Sequence, residues 1–77
     1  MKFMTALDKI TSERRASAEL WRDGWSDDQR SDDFHRPLGV DERGRLREVD
    51  RRGNYVAFPC LTVRDLTETD WRVRACK

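Results

Sequence analysis

The chain has 77 residues, 40% of them charged and 36% hydrophobic, and its 16 Lys and Arg nearly cancel 15 Asp and Glu for a formal charge of +1. An average globular domain is about 25% charged, so one compact domain over residues 1–77 with a thin core is expected, burying only about 60% of the surface that its unfolded chain exposes. Near-neutral charge argues against direct nucleic-acid binding through a basic face, and no apolar run approaches the ~20 residues of a membrane span.

Residues 3–12, FMTALDKITS, read as a helix. Phe3, Leu7 and Ile10 fall at i, i+4 and i+7 and make a one-sided apolar stripe. A helix of this length is marginal alone in water, so the stripe must dock on other structure, expected to be a sheet. In ERRASAELWR, residues 13–22, Ala16, Ala18 and Leu20 alternate with Ser17, Glu19 and Trp21, the period-2 pattern of a strand. Ala and Glu are poor strand formers, which keeps a helical continuation open there. Asp23-Gly24 then breaks the element.

Residues 26–37, SDDQRSDDFHRP, form a polar middle with two Asp-Asp pairs. Their spacing fails the Ca²⁺-loop template, because Gly39 stands where a bidentate Glu is needed when counting starts at Asp28. A solvated loop is expected, with His35 in it. From Leu38 onward the pattern is β: Asp41-Glu42-Arg43-Gly44 and then Asp50-Arg51-Arg52-Gly53-Asn54 have hairpin-turn composition. They separate strands at Leu38–Val40, at RLREV and at YVAF, where Pro59 ends the run. Thr62 and Asp65 have capping-box spacing, so a helical turn is expected at 63–66. Trp71, Val73 and Ala75 alternate with Arg72, Arg74 and Cys76 as a closing strand, with Trp71 in the core. The fold class is α+β: an N-terminal helix packed on a small antiparallel sheet of about four to five strands, with a one-turn helix before the last strand.

Cys60 and Cys76 follow no apolar leader, so a cytoplasmic chain with reduced thiols is expected. With His35 the sole histidine and no CxxC pair, neither a metal nor another cofactor is expected. No Ser/His/Asp order or oriented Cys-His pair is visible, so no catalytic residue is assigned and an enzyme is not expected. A core this thin makes oligomerisation the natural supplement.

The two ends of the chain resemble a family of small phage proteins, the second type of Thoeris anti-defence protein, which are cyclic-nucleotide sponges. FMTALDKI followed by RRASAELW places Phe3, Ala6, Leu7, Ile10 and Trp21 on the family's helix-then-Trp pattern. LTVRDLTETDWRV places Leu61, Thr62, Asp65, Leu66, Asp70, Trp71 and Val73 on its closing signature. The resemblance implies non-catalytic capture of a cyclic nucleotide immune signal inside the host bacterial cell, in pockets between protomers of a dimer or tetramer. The middle of the chain is shorter than in the sponges. That favours a second expectation: a protein-binding inhibitor of a host defence complex, such as an anti-CRISPR, acting by surface occlusion.

Either function needs aromatic platforms and cations, for stacking and for charge-assisted bonds to phosphate. The candidates are Trp21, Arg22 and Trp25, with Tyr55 and Arg72 behind them. Trp25, between Gly24 and Ser26 in a polar stretch, is expected to be exposed and dispensable for folding.

Overall fold

A computed structural model of the chain describes residues 1–12, 18–32 and 34–75. The element order is α1 (Phe3–Ser12), β1 (Ala18–Arg22), β2 (Leu38–Val40), β3 (Leu46–Glu48), α2 (Val63–Thr67) and β4 (Trp71–Ala75). The strands form one antiparallel sheet in the order β3-β2-β1-β4. The expected fold class is therefore present: a helix on a four-stranded sheet, with a short helix before the last strand. The segment read as the start of the first strand, residues 13–17, lies outside the described residues, as do Asp33 and Cys76.

α1 forms where its stripe places it and buries Phe3, Ala6 and Ile10, with Leu7 packed at the margin. Its target is the face of the sheet carrying Ala18, Leu20, Leu38 and Trp71. Leu20 and Leu38 are cross-strand partners and both are fully buried. Trp71, 1% exposed, lies with its ring 4.9 Å from that of Phe3 and joins helix to sheet. Burying an aromatic of this size removes about 150–250 Å² from water, a large share of so small a core.

Both hairpin turns form at the expected places. The amide of Gly44 bonds to the Asp41 carbonyl, and that of Gly53 to the Asp50 carbonyl. Both glycines have positive φ, 76° and 84°, a region that residues with a Cβ enter at a cost. Asp41 and Asp50 each accept two backbone amides of their own turn through Oδ1, which fixes the turn geometry.

The segment YVAF departs from expectation. It makes no regular strand: Tyr55 bridges Val49, and Glu48 alone takes the next bonds, from the Val56 amide and to the Ala57 carbonyl. The Val56 carbonyl turns instead to Arg47 Nη2 at 3.0 Å. Good β-formers here lack a second ladder partner, and Pro59 removes the next donor. Phe58 is left 60% exposed, beneath the guanidinium of Arg47 at 4.4 Å.

Candidate ligand-binding face

Strand alternation sorts the sequence candidates. On β1, Ala18, Leu20 and Arg22 point toward the α1 side, whereas Glu19 and Trp21 point to the other face. On β4, Arg72 and Arg74 share that outer face, because Trp21 pairs with Arg72 and Glu19 with Arg74 in the register.

Arg22 sits at the end of the inner row and is buried. Its guanidinium grips Asp70 with two prongs, Nε to Oδ1 at 2.8 Å and Nη2 to Oδ2 at 3.3 Å, while Nη1 donates to Asp65 Oδ1 at 2.7 Å. Asp65 is the third residue of a complete capping box with Thr62, its Oδ2 accepting the Thr62 amide at 2.8 Å. Its carbonyl accepts the indole N–H of Trp71 at 2.7 Å. Burial alone would raise the Asp65 carboxyl. The Thr62 amide, Arg22, Trp25 and the Thr62 hydroxyl outweigh it and hold the pKa at about 2. The hydrogen bond from Arg22 likewise keeps Asp70 below the usual carboxylate range, and Asp70 in turn raises Arg22. This network ties the end of β1 to the start of α2 and of β4.

Trp25 belongs to the same network and is not the exposed loop residue that its neighbours suggest. Its indole N–H reaches Asp65 Oδ1 at 3.3 Å, its ring meets that of Trp71 edge-on at 5.1 Å, and His35 stacks on it at 4.4 Å. It is half-buried against the core, and His35 is covered with it rather than freely solvated. Tyr55 is elsewhere, its hydroxyl donating to the Val40 carbonyl at 2.8 Å and its ring edge lying close over Gly39. Burial raises its pKa.

Trp21 and Arg72 remain, and the sheet brings them together on the outer face. They line a shallow depression of about 470 Å³ at the edge strand β4, shared with Met1, Asp23, Asp70, Trp71 and Val73. Arg72 is 63% exposed and pairs with Asp23 at 2.6 Å. Beside them, Arg74 holds its guanidinium 5.0 Å from the centre of the Trp21 ring. Arg74 also lines a second cavity, of about 380 Å³, with Glu19, Phe34, His35, Arg36 and Arg51. Arg74 is therefore the residue common to the Trp21 ring and the second cavity. Arg74 and Glu19 were not among the sequence candidates, although the period-2 pattern that placed Trp21 opposite Leu20 also placed Glu19 beside Trp21.

The face holds an indole, two guanidiniums and their carboxylate partners. It suits stacking and anion recognition, since Arg binds phosphate and carboxylate through a planar fork and also stacks on aromatic rings. Among the described residues no group of His, Cys, Asp and Glu is placed to hold a metal ion, and no helix is long and apolar enough to cross a membrane. Compared with family models, curated proteins and solved structures, the chain matches none of them.

Proposed function

We propose that this domain is a non-catalytic counter-defence protein that captures a cyclic nucleotide immune signal on the outer face of its sheet. The observation that carries the reading is the conjunction of Trp21, Arg72 and Arg74 beside a depression of about 470 Å³. Arg22 and Trp25 are occupied in holding the fold, while these three face outward. An indole stacks on a base and guanidiniums take phosphate oxygens, the two chemical handles of such a ligand. The resemblance of both chain ends to the sponge family supports the same reading. In it the protein works as a homo-oligomer in the cytoplasm of the infected cell, and a second copy encloses what one copy leaves open.

The test is thermal unfolding of the purified protein with cyclic ADP-ribose isomers and cyclic dinucleotides. A ligand at 100 times its Kd adds about 2.7 kcal/mol of apparent stability. A flat melting temperature across that panel sinks the reading.

The openness of the depression favours the second reading, surface occlusion of a host defence complex. Arg72 is 63% exposed and its partner Asp23 48%, and an aromatic flanked by Arg is the composition of protein-interface anchors. Light scattering separates the two: a strict monomer removes the enclosing copy and leaves occlusion.

A further inference from the structure

We propose that the Glu19 carboxylate is a built-in occupant of the anion seat on this face, holding Arg74 until a phosphate-bearing ligand displaces it. The inference rests on the capture reading and adds a regulatory contact to it.

Glu19 Oε2 receives both Nε and Nη2 of Arg74, at 3.1 and 2.9 Å. The two partners are unequally covered: the Arg74 side chain is 59% exposed and that of Glu19 only 11%. The cation thus stands at the surface with its anion beneath it. The same guanidinium lies against Trp21, the ring on which a base would stack. Two N–H groups of this guanidinium satisfy the chain's own carboxylate.

An incoming phosphoryl group meets two obstacles at this place. It must compete with Glu19 for Arg74, and it approaches a fixed negative charge. Phosphate has the advantage in charge and in the number of acceptor oxygens. The pair it must break has an exposed guanidinium but a buried carboxylate, so displacement leaves Glu19 covered and unpaired, and the ligand must meet that cost. Only a ligand with more charge and more acceptor oxygens than Glu19 meets that cost, as a phosphoryl group does, and a singly charged carboxylate ligand, with no such advantage, is rejected. Glu19 acts as a filter that sets the threshold for what the face retains.

The consequence is opposite in sign for the two partners. Removing the carboxylate charge strengthens anion binding, and removing the guanidinium abolishes it. The experiment is calorimetric titration of inorganic pyrophosphate into the full chain and into Glu19→Gln and Arg74→Ala, at low salt. The expected result is binding at least about fivefold tighter in Glu19→Gln than in the parent, because no buried carboxylate is then left unpaired, and none in Arg74→Ala. In the parent, the Arg74 Nε–H resonance should shift during the titration, a readout that stands even where a variant fails to fold.

Equal affinity of parent and Glu19→Gln, retained binding in Arg74→Ala, an unmoved Arg74 resonance, or no pyrophosphate binding by any of the three overturns the inference. Equal affinity in the first two proteins would leave the capture reading standing. A failed cyclic-nucleotide panel would remove that reading while the pyrophosphate series still decided the Glu19–Arg74 exchange.

Discussion

Arg22 and Asp70, 48 residues apart in the chain, share a two-pronged ion pair whose outer oxygen also accepts the Gly24 amide at 3.0 Å. Because Arg22 also holds Asp65, one side chain connects β1, the 23–25 turn, α2 and β4. Removing it strands two carboxylates, one of them buried. Breaking a buried pair from one side costs about 3–5 kcal/mol. Arg22→Met is expected to lose that much in urea unfolding. Adding Asp65→Asn and Asp70→Asn should recover part of the loss, because the uncompensated charges go with it. Strict additivity of the three changes would refute the network.

Acid should dismantle the same network. Asp65 has a pKa of about 2 in the fold against 3.8 ordinarily. A depressed carboxylate contributes stability that is fully present above its unfolded pKa and is lost as pH falls through the folded one. The window is therefore roughly pH 4 down to 2, and the contribution is about 2 kcal/mol. Asp70, also depressed, adds in the same direction. Unfolding midpoints measured from pH 7 to pH 2 should drop across that window in the parent. In Asp65→Asn they should start lower and fall less.

Local rules made much of this legible in the sequence. The α1 stripe, the Thr62–Asp65 cap and the glycines that close both turns each depend on residues within a few positions of one another. What stayed hidden depends on distant partners. Nothing near Arg22 announces two aspartates from the other end of the chain. Trp25, set between Gly24 and Ser26, has a wet neighbourhood in sequence and a dry one in space. YVAF has the composition of a strand, but whether it becomes one depends on a continuous ladder beside it. Of the sites, Trp21 and Arg72 were readable from alternation, whereas the Glu19–Arg74 pair required the register of β1 against β4.

Trp25 now carries a stability prediction. It packs on Trp71 and covers His35, with its N–H on Asp65. A fully buried Trp truncated to Ala costs about 3–5 kcal/mol, and a half-buried one less, about 1.5–3 kcal/mol. Trp25→Phe keeps most of the packing and drops the hydrogen bond, for about 1 kcal/mol. If Trp25→Ala unfolds at the parent's urea midpoint, the indole is not packed as described.

Gly39 tests the other side of the sheet. A Cβ there would stand 3.0 Å from Val49 Cγ2 and 3.1 Å from the Tyr55 ring. Overpacking of this kind costs about 1–3 kcal/mol, so Gly39→Ala should be destabilised although its backbone is an ordinary strand. Tyr55→Phe removes the hydroxyl bonded to Val40 and should lose about 1 kcal/mol. A neutral Gly39→Ala would mean that Tyr55 moves aside easily and is not a fixed cover for β2.

Trp21 separates structure from function on this face. The cross-strand pair Leu20 and Val73 and the buried Trp71 supply the inner packing, while Trp21 lies on the opposite side, paired with Arg72 and against Arg74. Trp21→Ala removes an outer aromatic and a cation–π contact of about 0.5–1 kcal/mol, so folding should survive with a modest drop in melting temperature. Trp71→Ala, by contrast, should cost about 3–5 kcal/mol. If the face binds as proposed, Trp21→Ala abolishes the ligand-induced thermal shift with the fold retained, and Trp21→Phe restores part of it by keeping a ring. Binding that is unaffected by Trp21→Ala places the ligand elsewhere on the molecule, and the second cavity, beside Arg36 and Arg51, is then the next surface to mutate.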